Sequence, residues 1–564
     1  MKPSPIAETL DRLDARRKDP VWISRLCRDH VLGLADAAER LPGPVPLRGL
    51  TFAIKDNIDF AGVPTTAACP DFEYTPTASA PVVQHLIDAG AIPLGKTNLD
   101  QFATGLVGVR SPYGVPVNPF GAEYIPGGSS SGSAVAVASG LCDFALGTDT
   151  AGSGRVPAAF NNLVGLKPTR GLLSTRGVVP ACRTLDCVSI FTRSIADAAE
   201  VLSVAAAYDP EDPYSRAVVP PVIDESWPPR IGVPRSEQLE FFGNADAAKL
   251  FTGAVARWQS LGAKIVEIDF SAFLEAARLL YEGPWVAERY AAIRDFIERK
   301  PEALHPVTRK IIEGAKALTA TSAFEATYKL AALRRRAETV WADIDVLLTP
   351  TAGTIYTVAE VEVEPIRLNS NLGYYTNYLN LIDLCAVAVP AGFLPSKMPW
   401  GVTLVAPAFC DDRVLRLGAR FLGEPVPLRA LPATGRSVNL AVCGAHLSGL
   451  PLNWQLTQLG AKLVRATRTA PNYKLFALPG TTPPKPGLIR VAADGVAIEV
   501  EVWAVPVAGY GHFVSNIPAP LGIGTITLED DSSVQSFLCE AIAVEGARDV
   551  SPFGGWRAFL KSGR

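Results

Sequence analysis

The chain has 564 residues, 48% hydrophobic and 19% charged, with a formal net charge of −3 at pH 7. That length exceeds one small core and predicts two domains, or one large domain with an appendage. The balance excludes the basic footprint of a nucleic-acid binder and the composition of a disordered chain, and no apolar run is long enough for a membrane-spanning helix. Nine cysteines, an odd number with no C-x-x-C pair, argue against a disulfide framework and a zinc knuckle. The five histidines show no H-x-x-x-H spacing, so chemistry without metal or cofactor is expected. The opening "MKPSPIAETLDRLDARRKDP" has no apolar signal-peptide core, which makes a cytoplasmic protein the expectation.

The elements begin with helical spacing in "IAETLDRLDARRKDPVWISRL" and "HVLGLADAAERL". "LRGLTFAIKDNIDF" reads as a short apolar strand running into a turn. "SAPVVQHLIDAGAIPLGKTN" reads as helix, glycine stop and strand, the rhythm of an α/β protein. The Pro-rich stretch from Asp209 to Arg230 is a long internal crossing, because "RIGVPR" and "GAKIVEIDF" resume the same rhythm after it. A domain boundary is predicted in "GEPVPLRALPATGRS", Gly423 to Ser437. Beyond it strand-like runs predominate ("KLVRATR", "NYKLFAL", "GLIRVAA", "AIEVEVWAVP", "GIGTITLED"). The expected organisation is therefore a domain over 1–430 and a β-rich domain over 438–564.

Three segments carry chemistry. Lys55 interrupts an apolar strand near its end; burial disfavours its ammonium form, which would suit it to act as a base. The alternative is a lysine that reaches out to Asp56 or Asp59. In "PGGSSSGSA", Pro126 to Ala134, glycines permit unusual backbone and serines stand ahead of a helix expected to open at Ala134. That loop either caps the helix or binds an anion through its amides. In "GTDTAGSGR", Gly147 to Arg155, small residues let the amides of Thr150, Ala151 and Gly152 face a cavity just before Ser153, the arrangement of an oxyanion hole beside a nucleophile. No G-x-S-x-G elbow and no neighbouring histidine supports a Ser-His-Asp triad. The available base for Ser153 is Lys55, relayed through a loop serine.

Together "GGSSSGS", "GTDTAGSGRVP" and "GLKPTRG", with Lys55 upstream, resemble the amidase signature family. The resemblance implies an α/β/α domain with a mixed central sheet and a Ser–Ser–Lys triad. Ser129, twenty-four positions before Ser153, would be the bridging serine on a cis peptide, passing a proton from Ser153 to neutral Lys55. Thr150, Ala151 and Gly152 would bind the oxyanion, and Asp149 and Arg155 would brace the loop. Ser130, Ser131 and Ser133 would shape the loop. Ala151 departs from a common glycine, which requires a negative φ there.

A further string, "LLYEGPWVAERY", places Tyr281 just outside a helix begun by Gly283–Pro284 and Arg289 a turn and a half into it. A phenol and a guanidinium on one pocket suit a carboxylate; the alternative is an ordinary helix with Glu288 and Arg289 exposed. With the C-terminal opening "GAHLSGLPLNWQL", this string is similar to the allophanate hydrolase branch of the family. That likeness implies a small substrate whose carboxylate is gripped by Tyr281 and Arg289, a γ-glutamylcyclotransferase-like β-rich domain with His446 as its polar group, and a homodimer. His446 alternatively anchors a turn, and "GYGHF" around His512 is a weaker rim. The rival readings are a signature amidase for malonamate-like or other small amides, one component of a multi-chain amidotransferase, and a catalytically silent scaffold.

Overall fold

The computed structural model describes residues 5–16, 18–43, 45–217, 228–427 and 437–563, without the side chains of Ala508 and His512. Much of the predicted boundary segment and of the Pro-rich crossing therefore lies outside the described residues. Two compact units divide the chain: Met1–Arg216 with Glu225–Leu431, and Ala217–Asp224 with Pro432–Arg564.

The first unit is built on a mixed sheet of eleven strands: β1 (Trp22–Arg25), β2 (Thr51–Lys55), β3 (Ile92–Thr97), β4 (Phe144–Asp149), β5 (Val164–Lys167), β6 (Cys187–Thr192), β7 (Arg230–Pro234), β8 (Lys264–Ile268), β9 (Val346–Pro350), β10 (Leu384–Phe393) and β11 (Pro399–Pro407). Their order is β1-β3-β2-β4-β6-β5-β10-β11-β9-β7-β8. The α/β class read from the sequence holds. β1 corrects the helical reading of the N-terminal segment: the helix stops at Ala15, and "WISR" pairs antiparallel with β3. Apolar residues alternate over so short a stretch that edge strand and helix share one pattern.

The centre of this sheet positions the site. β2 lies parallel to β4, with Phe52 opposite Phe144 and Ile54 opposite Leu146, and the two phenyl rings stack at 5.2 Å. Both strands are buried on both faces, which is why they read as nearly unbroken apolar runs. Being parallel, they release their C-terminal ends, Lys55 and Asp149, at the same edge, where open α/β sheets place their ligands. The Ser-rich loop arrives there too, and its helix opens at Ser131 rather than at Ala134. Gly132 lets that helix sit against the backbone: a Cβ there would lie 2.5 Å from the Val21 carbonyl oxygen and 2.6 Å from the Asn98 nitrogen.

Tyr281 belongs to the last turn of a helix, Ser271–Glu282, rather than to a loop. Gly283 closes that helix, Pro284 stands at the next N-cap, and Trp285–Arg299 carries Arg289. The second unit is β-rich, with a five-stranded and a three-stranded sheet and its own core around Leu440, Val442, Tyr473, Val500, Trp503 and Trp556. "GYGHF" lies in a helix, Val507–Ser515, and the His512 side chain is outside the described residues. Among the described residues no helix is long and apolar enough to cross a membrane.

Candidate active site

Lys55 closes β2 fully buried. Its Nζ lies 2.8 Å from Ser129 Oγ and 2.7 Å from Thr148 Oγ1. Neither Asp56 nor Asp59 receives it; Asp56 faces Lys96 at 3.3 Å instead. Burial lowers the proton affinity of Lys55 to a pKa of about 7, opposed in part by the charges of Asp100, Asp149 and Asp186. An amine of that strength is substantially neutral at physiological pH, as a general base must be.

The serine loop supplies the next groups. The Gly128–Ser129 peptide is cis. No side-chain cap closes the helix at Ser130; Ser130 and Ser133 instead donate to the β4 carbonyls of Thr148 and Leu146 at 3.1 and 2.8 Å. These hydroxyls sew the helix to the strand that leads into the Ser153 loop. The Ser131 hydroxyl is buried and meets no partner among the described residues.

Ser153 is buried, and its Oγ donates to the Gly105 carbonyl at 3.4 Å. Among the described residues no hydrogen bond joins Ser129 to Ser153, so the two hydroxyls share the site without closing the relay at rest. The loop that carries Ser153 is fixed from behind. Arg155 makes a two-pronged ion pair with Asp149 at 2.9 Å per contact, and the Gly154 N–H donates to the same carboxylate at 3.0 Å. Thr150 Oγ1 donates to Asp186 at 2.5 Å, and Asn380 Nδ2 donates to the carbonyls of Asp149 and Leu185, both at 2.8 Å. The backbone N–H groups of Thr150, Ala151, Gly152 and Ser153 have no acceptor among the described residues. Open N–H donors beside a buried hydroxyl are the kind of groups from which an oxyanion hole is built. Ala151 is not among the residues of positive φ, while Gly152 takes φ +147 against Thr376, where no side chain fits.

Arg289 is buried, with Nη1 3.2 Å from Thr104 Oγ1 and 3.5 Å from the Ala103 carbonyl. Its guanidinium carbon lies 5.6 Å from the centre of the Tyr281 ring, and its Nε is buried without a partner among the described residues. The reading that left Glu288 and Arg289 exposed does not hold. Glu288 accepts from Thr184 N and Oγ1 at 2.6 and 2.8 Å.

Several residues of the site escaped the sequence reading. Asp100 accepts from the N–H groups of Val107, Gly108 and Arg110 at 3.2, 2.9 and 3.0 Å, and so shapes the loop that presents the Gly105 carbonyl. Asp186 holds Thr150, and burial raises its pKa to about 6. Thr148 holds Lys55. For Asp100 the available signal was the density of polar residues in "KTNLDQFATG", a stretch buried along its length. Such a run survives in an interior only when every group is partnered.

In the second unit His446 Nε2 lies 2.8 Å from Gln455 Oε1, and its ring stacks on Phe537 at 5.1 Å and meets Phe513 edge-on at 5.4 Å. Burial lowers its proton affinity. Its carbonyl accepts from Asn453 Nδ2 at 2.8 Å, so the residue also pins its turn.

The model of the amidase family matches residues 6–415, and that of the allophanate hydrolase C-terminal domain matches residues 438–561. Urea amidolyase of Saccharomyces cerevisiae is 44% identical over 583 aligned residues, covering 98% of this chain and 32% of its own length. The chain thus spans about a third of the curated relatives it matches over its whole length. One of the glutamyl-tRNA(Gln) amidotransferase subunits from Prochlorococcus marinus is 34% identical, covering 68% of this chain and 85% of itself. Among solved structures, allophanate hydrolase of Kluyveromyces lactis superposes with a TM-score of 0.78 at 42% identity, covering 100% of this chain and 97% of that one.

Proposed function

Because the chain belongs to the amidase family, we propose that it hydrolyses the terminal amide of allophanate by Ser–Ser–Lys nucleophilic catalysis. The observation that carries this reading is the buried contact of Lys55 with Ser129, next to a loop that offers Ser153 and four open N–H groups. Ser153 Oγ attacks the amide carbonyl carbon while its proton passes to Ser129 Oγ and the Ser129 proton to neutral Lys55 Nζ. The oxyanion is held by the N–H groups of Thr150, Ala151 and Gly152. As the C–N bond breaks, the proton returns by the same relay to the leaving nitrogen, and ammonia departs. Water then attacks the acyl-enzyme, gives its proton to the relay, and releases N-carboxycarbamate with Ser153 restored. Loss of carbon dioxide from that product brings the net yield to two ammonia and two carbon dioxide per substrate. No step requires a cofactor.

Substrate choice is assigned to Tyr281 and Arg289, whose guanidinium and phenol would grip the carboxylate with charge-assisted bonds. The allophanate hydrolase and urea amidolyase similarities along the whole chain support this substrate over malonamate-like or other small amides. The reading assigns 1–430 to the hydrolytic domain and 438–564 to a second domain in which His446 assists decarboxylation. A cytoplasmic homodimer belongs to the same reading, and sedimentation of the purified chain tests the dimer.

Ammonia release from allophanate and malonamate, compared for wild type and Ser153→Ala, tests the assignment. A strong preference for allophanate, lost in the folded variant, is expected. Equal use of both amides would withdraw the substrate; residual turnover in the variant would withdraw the nucleophile.

A further inference from the structure

We propose that Arg110 is a second, specificity-determining cation of the carboxylate pocket, acting beside Arg289 across Thr104. The proposal rests on the allophanate reading and deepens it. Two buried guanidiniums meet at this one residue: Arg110 Nη1 donates to the Thr104 carbonyl at 2.9 Å, and Arg289 Nη1 to the Thr104 hydroxyl at 3.2 Å. Arg110 Nη2 donates onward to the Pro365 carbonyl at 2.6 Å. Every acceptor these two side chains meet among the described residues is an uncharged oxygen, and the Nε of each is buried with no acceptor.

Among the described residues neither guanidinium forms an ion pair with the acids nearby, although the Asp100 carboxylate lies beside Arg110 and one of the N–H groups it holds is Arg110's own. Asp100 is occupied by three backbone N–H groups, and Asp186 by Thr150 and by the N–H groups of Ala181 and Cys182. Neutral oxygens satisfy a guanidinium's protons without neutralising its charge, and desolvating two like charges side by side is costly until an anion arrives.

Arg110 also lies beside Gly105, the residue whose carbonyl the Ser153 hydroxyl meets. The Ser153 hydroxyl donates to the Gly105 carbonyl, and a Cβ at Gly105 would lie 3.2 Å from Arg110 Nη1. A small amide whose carbonyl is on Ser153 carries its carboxylate two bonds further on. In that pose Arg289 grips the anion, and Arg110 adds its field from the other side of Thr104. The field acts at a distance in a water-poor site, so charge rather than shape is what Arg110 supplies.

The test compares kcat/KM for allophanate with kcat/KM for biuret, the neutral isostere in which a carboxamide replaces the carboxylate. Arg110→Met is expected to lower the allophanate-to-biuret ratio by at least about fivefold, chiefly through the KM of allophanate. Arg110→Lys, which keeps the charge and gives up the carbonyl clamp, is expected to hold the ratio within about threefold. A smaller fall in the Met variant, with both amides losing turnover together, would reduce Arg110 to a brace for Thr104 and Pro365 and overturn the proposal. If the Met variant does not fold, Arg110→Gln takes its place with the same two outcomes, since it too removes the charge. A wild-type ratio near one, unmoved by Arg289→Met, would instead sink the carboxylate reading itself.

Discussion

Lys55 shows how a single residue is set to its task by its surroundings. A lysine whose ammonium is stripped of water must be held by something, and here the holders are two hydroxyls rather than a carboxylate. Burial therefore dominates, and the pKa falls from 10.5 to about 7. In the proposed mechanism Lys55 works as the neutral amine, so kcat/KM should rise with pH and level off above about 7, which an ammonia-release profile from about pH 5.5 to 9 would read. A profile flat across that range would remove Lys55 as the base. Stability carries the opposite mark. The folded chain binds this proton less tightly than the unfolded chain, so the buried lysine costs stability below pH 7, and the cost fades between about 7 and 10.5. Lys55→Met should accordingly be inactive yet melt no lower than wild type, with its advantage greatest below pH 7. At Arg289 the same scale predicts that Arg289→Lys raises the KM for allophanate by roughly tenfold, because a point charge replaces a planar fork; an unchanged KM would dismiss the clamp.

The elements around these residues are coupled through one short segment. Residues 181–186 hold the nucleophile loop through Asp186 and Thr150, and they hold the first turn of helix Trp285–Arg299 through Thr184 and Glu288. Cys182 Sγ adds a contact to the Trp285 carbonyl at 3.4 Å. The helix that brings Arg289 is thus referenced to the loop that brings Ser153. Glu288→Ala should loosen that reference and raise the KM for allophanate about fivefold, the worth of roughly one hydrogen bond, with kcat little changed; steady-state kinetics on the folded variant would check it. Much of this level was legible beforehand. β2 announced itself by an apolar run that ends in Lys55, whereas the strand ahead of "DTAGS" did not stand out as one. The helix start at Gly283–Pro284 was equally plain, though not the helix that precedes it, and the serine loop and the Ser153 loop reach the sheet edge that carries Lys55. β1 and the helical setting of Tyr281 were not legible, because a four-residue edge strand and a last helical turn leave no periodicity of their own. Nor were Asp186 and Arg110, whose partners are largely backbone groups brought near only by the fold.

At the scale of the whole molecule, chemistry and bulk are divided unequally. Lys55, Ser129, Ser153, Tyr281 and Arg289 all belong to the first unit, and the second has a separate core built on Tyr473, Val500 and Trp503. A chain cut after residue 431 should therefore still release ammonia from allophanate, with a KM within about twofold of the full chain, as expected when binding groups are untouched. His446 is the one group in the second unit assigned a chemical part. Its imidazole, stacked on Phe537 and bonded to Gln455, is kept mainly neutral at pH 7 by burial, and a neutral ring nitrogen is able to accept a proton. In the full chain, His446→Ala should leave ammonia release from the first step intact while the carbamate product persists longer, read as a lag in carbon dioxide behind ammonia in stopped-flow assays. Carbamates also lose carbon dioxide unaided, so the size of the lag is what counts: carbon dioxide kinetics identical to wild type would leave His446 as the anchor of its turn and the second unit without a part in the reaction.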